Sequence, residues 1–154
     1  MLIYVDGDAT RVNHGSPGRK ILAHIVNDRG AWGKGFVLAV SQRWPEARSH
    51  YLLRAAQIAP GQVQFVSVAP GVQVANMAAQ RGLRSARNPH PLDLTALATC
   101  LRRVAVQAKI QHASVHMPRI GTGLAGGDWA EVEPLIRAAF DPDPEIEVFV
   151  YTLC

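Results

Sequence analysis

Short apolar runs alternate along this chain with longer segments in which apolar residues have helical spacing. Six apolar runs predict strands, each bounded by glycine, proline or polar residues: 2–5, 21–26, 63–69, 72–78, 113–117 and 145–153. Apolar residues recurring at three and four predict helices over 36–44, 47–56, 94–108 and 129–139.

Turn and helix-start residues separate these elements. Pro70-Gly71 joins the third and fourth runs tightly, which predicts a hairpin, and Pro89 and Pro91 mark the approach to the third helix. Strands alternate with helices through most of the chain. The pattern therefore predicts an α/β fold with a mixed sheet and helices on both faces.

Composition narrows the class of protein. The 154 residues are 48% hydrophobic, which predicts one domain over residues 1–154 with a packed core. No apolar run is long enough for a membrane helix, and the first residues turn acidic at Asp6, too early for a signal peptide. We therefore expect a cytoplasmic monomer that makes no contact with membranes.

Charge and cysteine content exclude other classes. The formal net charge is +4 without a run of five basic residues, which favours phosphate-bearing partners in general but argues against nucleic acid. Cys100 and Cys154 have no Cys or His at metal-ligand spacing, so we expect no metal and no cofactor. His24 lies in an apolar run, and we expect it to be a hydrogen-bonded core histidine.

Two loops that follow predicted strands are rich in glycine, 30–35 and 121–127. Glycine lets backbone N–H groups approach a ligand closely, and the next helix points its positive end at the loop. Either loop alone is also explained as an ordinary tight turn. Their recurrence after two strands favours a ligand with more than one phosphate, bound outside the carboxyl ends of the strands.

The second loop also matches a different fingerprint. Gly121, Gly123 and Gly126 have the spacing of a dinucleotide-binding motif between a strand and a helix. That motif belongs near the start of its fold, whereas only one predicted strand follows it here. We therefore reject a dinucleotide-binding fold.

Both loops together resemble those of one protein family. Leu22-Ala23-His24 followed by Gly33-Lys34-Gly35-Phe36 is similar to the first phosphate loop of the macrodomains, and the segment 117–124 is similar to their second. The early residues 4–8 and the ending 150–153 also match, in order. The branch resembled is the terminal ADP-ribose protein glycohydrolase, whose relatives include ADP-ribose-1″-phosphate phosphatases.

The resemblance implies a three-layer α/β/α sandwich with a mixed six-stranded sheet and ADP-ribose in a cleft across its top. Asp8 would accept a hydrogen bond from the adenine amino group, although Asp8 is also a typical turn residue. Ala9, the next residue, would also contact the ligand. Leu153 would lie near the adenine. The phosphates and riboses would contact Gly33, Lys34, Gly35, Arg119, Ile120, Gly121, Thr122, Gly123, Leu124 and Ala125.

The resemblance ends where catalysis begins. The glycohydrolase uses a lysine after its fourth strand and an aspartate in its second loop, where this chain has Gln80 and Ala125. A glutamine cannot form a Schiff base and an alanine cannot move a proton. Asp128 and Asn27 are the candidates for orienting water instead, but Asp128 with Glu131 also fits a helix cap and Asn27 a loop-stabilising residue.

These observations leave three functions open. The first is hydrolytic release of ADP-ribose from glutamate or aspartate side chains of ADP-ribosylated proteins. The second is a binding module that recognises ADP-ribose without cleaving it, and the third is a phosphatase acting on ADP-ribose-1″-phosphate. The missing lysine and aspartate favour the binding module, whereas the match along the whole chain favours the hydrolase.

Overall fold

Six strands form one sheet in a computed structural model that describes residues 1–54 and 57–153. The strands are β1 (Leu2–Asp6), β2 (Lys20–Asn27), β3 (Val63–Ala69), β4 (Val72–Gln80), β5 (Ser114–Pro118) and β6 (Val148–Thr152). Their order is β1-β6-β5-β2-β4-β3, with β3 antiparallel to β4 and every other neighbouring pair parallel. The predicted mixed six-stranded sheet and the hairpin are confirmed.

Four helices cover the two faces of this sheet: α1 (Phe36–Arg43), α2 (Pro45–Leu53), α3 (Leu94–Gln111) and α4 (Trp129–Phe140). Successive side chains of a strand point to opposite faces, so β2 contributes Leu22 and Val26 to the core under α1 and α2. Ile21 and Ala23 enter the core under α3 and α4. Burial on both faces explains why the sequence shows continuous apolar runs instead of strict alternation.

The topology brings the two glycine-rich loops together. β2 and β5 are neighbouring parallel strands, so the loops that follow them leave the same edge of the sheet side by side. The segments that follow β1, β6 and β4 leave from that edge as well. Strand order therefore sets the sequence of groups along this edge, from Asp8 and Leu153 at one end to Gln80 at the other.

The structure confirms the predicted start of the third helix but changes the residue that sets it. α3 begins at Leu94, because the carboxylate of Asp93 accepts a hydrogen bond from the Ala96 N–H at 2.9 Å and caps the helix. The two prolines lie in the preceding loop, outside the helix.

Other boundaries also differ from the sequence pattern. The last strand begins at Val148, three residues later than predicted, and a 3-10 helix over Ala9–Arg11 was not predicted at all. The second helix ends at Leu53, and Ala55 and Ala56, its predicted end, lie outside the described residues. No helix in the described part of the chain combines the length and apolar content needed to cross a bilayer.

Candidate functional site

A cleft of about 730 Å³ opens between the loops after β2 and β5. Its floor is the end of β2, and its walls are the two glycine-rich loops with the segment that follows β4. Most of the predicted site residues line it: Asn27, Gly33, Lys34, Gly35, Arg119, Ile120, Gly121, Thr122, Gly123, Leu124 and Ala125. Other residues that line the cleft are His24, Phe36, Gln80, Leu83 and Arg84.

Asn27 shapes the first loop. A register irregularity between Val26 and Asn27 ends the regular pairing of β2 with β4. The Asn27 Oδ1 accepts hydrogen bonds from the N–H groups of Arg29 (2.9 Å) and Ala31 (3.2 Å), and from the Tyr51 hydroxyl (3.0 Å). Its Nδ2 donates to the Ala31 carbonyl at 2.7 Å. The amide is thus occupied within the loop, which is the loop-stabilising role that the sequence allowed.

The glycines of the second loop divide into two kinds. A Cβ at Gly126 would stand 2.6 Å from the Pro89 carbonyl oxygen, and a Cβ at Gly127 would stand 2.6 Å from that of Gly121, so packing requires both glycines. At Gly123, and at Gly33 in the first loop, a Cβ would meet no atom within 4 Å. Packing against the protein therefore does not explain glycine at these two cleft positions, whereas close approach of a ligand would.

Both loops present backbone N–H groups that the protein itself does not use. Within the described residues, the N–H groups of 32–35 and 121–125 donate no hydrogen bond. Gly35 precedes α1 without a side-chain cap, so the positive end of that helix also faces the first loop. Unpaired N–H groups beside a helix N-terminus form a site for anionic oxygen atoms.

Arg119 is held in place beside this cradle. Its guanidinium lies 5.2 Å from the centre of the Tyr4 ring and 5.3 Å from that of the Trp129 ring, and its Nε donates to the Thr152 hydroxyl at 3.2 Å. Two cation–π contacts fix the side chain in the cleft wall. Lys34 is exposed at the opposite wall.

Three predicted ligand-binding residues stand outside the cleft lining. Asp8 caps the 3-10 helix, where its Oδ1 accepts from the Thr10 N–H at 2.9 Å and from the Thr10 hydroxyl at 2.7 Å. Ala9 is buried and Leu153 is 73% exposed. They follow β1 and β6, so the adenine site remains a prediction for that end of the strand edge.

The catalytic candidate Asp128 also lies outside the cleft lining, whereas the two positions that carry the glycohydrolase's lysine and aspartate lie within it. Gln80 and Ala125 line the cleft, and the Gln80 Nε2 donates to the Gly82 carbonyl at 3.1 Å. Asp128 is not part of the lining. Its Oδ1 accepts from the Ala130 N–H at 3.0 Å and caps α4. Of the described residues that line the cleft, none carries a carboxylate.

His24 was expected to be a hydrogen-bonded core histidine, and the structure confirms this for one of its two ring nitrogens only. Its side chain is 1% exposed yet lines the floor of the cleft. The Nε2 lies 2.5 Å from the Asn76 Oδ1, whereas the Nδ1 has no hydrogen-bond partner within the described residues. Burial lowers the pKa of this imidazole to about 4, so the ring is neutral near pH 7. A polar residue in an apolar strand was the only signal in the sequence.

A basic segment that sequence reasoning missed borders the cleft beyond β4. Residues 81–91 form a closed loop between paired Gln80 and Leu92, and the Asn88 Nδ2 donates to the Arg81 carbonyl at 2.9 Å. Arg84 and Arg87 are exposed and form no ion pair with any described residue. Because the basic residues are spaced by three, they never form the run that would have indicated a polyanion surface.

No cluster of three His, Cys, Asp or Glu side chains able to hold a metal ion occurs among residues 1–54 and 57–153. No family model matches the chain.

Known proteins resemble the chain over nearly its whole length. A macrodomain protein from Streptomyces coelicolor is 44% identical, covers 99% of both chains and superposes with a TM-score of 0.84. A Bacteroides thetaiotaomicron protein of unknown function is 42% identical, with coverage of 98% and 97% and a TM-score of 0.90.

One curated relative has an activity in its name. The DNA ADP-ribosyl glycohydrolase of Mycobacterium tuberculosis is 25% identical over 98% of this chain and 42% of its own length. The chain spans from 14% to 42% of the length of four curated relatives that it matches.

Proposed function

The chain belongs to the macrodomain family, and on that premise we propose that its cleft binds ADP-ribose and releases it by hydrolysis from glutamate or aspartate side chains of modified proteins. One observation carries the proposal: residues 33–35 and 121–125 line a single cleft, and their N–H groups donate no hydrogen bond within the described residues. A diphosphate supplies the anionic oxygen atoms that such groups bind.

The size of the cleft supports a ligand larger than one phosphate. About 730 Å³ lies within the usual range for sites of small molecules and cofactors. The strand order supports an extended pose, with the adenine toward Asp8 and Leu153, the diphosphate between the two loops, and the distal ribose toward Gln80.

Hydrolysis in this cleft depends on positioning the substrate and a water molecule, and on stabilising the charge that develops as the ester bond breaks. The ester between a carboxylate and the ribose is intrinsically labile, so holding the diphosphate and placing water beside the bond lowers the barrier. Attack of water at the anomeric carbon breaks the bond between that carbon and the carboxylate oxygen, whereas attack at the acyl carbon breaks the bond between the acyl carbon and the ribose oxygen. In either case one hydrogen of the water ends on the C1 hydroxyl of ADP-ribose, the other is released as a proton, and the side-chain carboxylate is set free. With Gln80 and Ala125 at the family's catalytic positions, the reaction proceeds without a covalent lysine adduct.

The test offers three substrates to one protein. These are a glutamate-ADP-ribosylated protein, ADP-ribose-1″-phosphate and free ADP-ribose, with release of ADP-ribose, release of phosphate and heat of binding as the respective readouts. We expect ADP-ribose release from the modified protein and none from the Gly123→Glu variant. Binding without release would leave the non-catalytic module, and phosphate release would favour the phosphatase.

A second molecule that could carry the ADP-ribose group is a nucleic acid, contrary to the expectation drawn from the absence of a run of basic residues. Arg84 lines the end of the cleft where the distal ribose would join its carrier, and the exposed Arg87 follows three residues later in the same loop. No acidic residue occurs between 81 and 92. A relative at 25% identity is a DNA ADP-ribosyl glycohydrolase. Exposed arginines beside the bond to be cleaved suit a phosphate backbone.

Charge reversal separates the two carriers. The double variant Arg84→Glu/Arg87→Glu should lose activity on an ADP-ribosylated oligonucleotide while keeping its affinity for free ADP-ribose. Arg48→Glu, on the exposed face of α2, is the matched control. Equal activity of both variants on the oligonucleotide, with no dependence on salt, would contradict a nucleic-acid carrier.

A further inference from the structure

Two buried polar atoms on rings that pack together beside the cleft floor have no partner within the described residues: the Nδ1 of His24 and the Nε1 of Trp32. The two rings lie edge to face with their centres 5.3 Å apart. His24 lines the cleft floor, and Trp32 stands in the first loop between cleft-lining Ala31 and Gly33. Buried polar atoms are almost always hydrogen-bonded, so this pair requires an explanation.

Neighbouring groups determine which His24 nitrogen carries the hydrogen. The Asn76 Nδ2 donates to the Ala47 carbonyl and to the Gln64 Oε1, both at 3.2 Å, so the Asn76 Oδ1 is the atom that faces His24. An oxygen acceptor 2.5 Å from the Nε2 places the hydrogen on the Nε2. The Nδ1 is therefore a bare lone pair, held in position by β4.

We propose that His24 and Trp32 together bind one hydroxyl group at the floor of the cleft: the His24 Nδ1 accepts the hydroxyl hydrogen, and the Trp32 N–H donates to the hydroxyl oxygen. The inference rests on the proposed function and deepens it. A free acceptor on one ring and a free donor on the ring packed against it match a group that both donates and accepts, which an ammonium group or a carbonyl oxygen does not. The hydroxyl belongs to the distal ribose or to the attacking water.

Burying these two polar atoms without a hydrogen-bond partner is unfavourable in free energy, and a bound hydroxyl group would provide the missing hydrogen bonds. A buried donor or acceptor without a partner has given up its hydrogen bonds to water and gained none in return. A site built to pair a hydroxyl also rejects ligands that lack one, because their binding leaves the buried atoms unpaired. The pair therefore favours a sugar or water over an apolar group at this position.

Two substitutions at His24 separate its nitrogens. In His24→Gln the side-chain amide reaches the position of the Nε2 and keeps the hydrogen bond with Asn76, but it provides no acceptor at the position of the Nδ1. In His24→Asn the amide oxygen stands near the Nδ1 position, and the side chain is too short to reach Asn76. Thermal denaturation of both variants measures what each change does to folding.

The experiment measures the Kd for ADP-ribose by calorimetry and single-turnover release from a modified protein. If the hydroxyl belongs to the ribose, His24→Gln weakens ADP-ribose binding about tenfold; if it belongs to water, affinity is kept and release slows about tenfold or more. In the first case His24→Asn retains more of the affinity for ADP-ribose than His24→Gln does, and in the second case it retains more of the rate of release. Wild-type affinity and rate in His24→Gln, or equal losses in both variants, overturn the inference.

A spectroscopic readout covers the case in which neither variant folds. In wild-type protein with ADP-ribose at saturation, the ¹⁵N resonance of the His24 Nδ1 should lie at the position of a hydrogen-bonded acceptor. A free-acceptor position with and without ligand overturns the inference while the proposed function stands. Wild-type protein that binds no ADP-ribose overturns both.

Discussion

The side chain of Leu124 stands against Gly35, so the two glycine-rich loops meet across the cleft: a Cβ at Gly35 would lie 3.1 Å from the Leu124 Cδ1. Leu124 is 45% exposed and lines the cleft, which indicates that it covers ligand space more than it supports the core. The contact closes the gap between the two loops whose N–H groups are unused.

We expect Leu124→Ala to weaken ADP-ribose binding about tenfold, since removing the part of one leucine side chain that covers the ligand costs about 1.4 kcal/mol of binding free energy. Thermal stability should change little. Leu38→Ala is the matched control, because Leu38 is 49% exposed on α1 and does not line the cleft. Equal affinities of the two variants in calorimetry would show that the closure is irrelevant to binding.

Gly123→Glu should abolish ADP-ribose binding without unfolding the protein. A Cβ at this position meets no atom within 4 Å, so the fold accepts a side chain, but the carboxylate would occupy the space between the loops and repel a diphosphate. Ser49→Glu adds the same charge on the exposed face of α2 and should bind as the wild type does. A folded Gly123→Glu variant with normal affinity would remove the second loop from the site.

Asp128→Asn should leave both thermal stability and rate of ADP-ribose release unchanged, because Asn and Asp cap helices about equally well and Asp128 lies outside the cleft lining. Asp128→Ala should cost about 1 kcal/mol of stability through removal of the cap. A loss of about 10²-fold in rate for Asp128→Asn, at unchanged affinity, would instead make its carboxylate a catalytic base.

Two buried histidines predict sensitivity to acid. Burial lowers the pKa of His24 to about 4 and, with the nearby charge of Lys20, lowers that of His116 to about 3. Because unfolding restores the ordinary pKa of about 6.5, the unfolded chain binds more protons below that pH. Stability is therefore complete above pH 6.5 and declines as the pH falls toward 4 and 3.

Chemical denaturation at several pH values measures this decline. His116→Asn should make the free energy of unfolding depend less on pH, whereas the same substitution at the exposed His50 should leave the pH dependence unchanged. A free energy of unfolding that stays constant between pH 6.5 and pH 4 would contradict the assignment of buried neutral imidazoles.

The parts of the structure that follow local rules could be predicted from the sequence. Apolar runs located all six strands, and glycine spacing located both loops of the cleft. The start of α3 was predicted correctly but for the wrong reason, because the carboxylate of Asp93, and not Pro89 or Pro91, caps the helix.

Features that depend on tertiary contacts could not be predicted. The unpaired Nδ1 of His24 depends on Asn76 lying opposite it on β4, and no pattern within either strand carries that pairing. Likewise, Asn27 looked like a candidate for orienting water until its amide was found occupied by Arg29, Ala31 and Tyr51.

Calorimetric titration of the wild-type protein with ADP-ribose tests the central claim most directly, because the claim is that the N–H groups of two loops bind a diphosphate. We predict saturable binding of ADP-ribose, at least tenfold weaker binding of AMP, which lacks the second phosphate and the distal ribose, and no binding by Gly123→Glu. Absence of heat at millimolar ADP-ribose, or equal affinity for AMP and ADP-ribose, would contradict it.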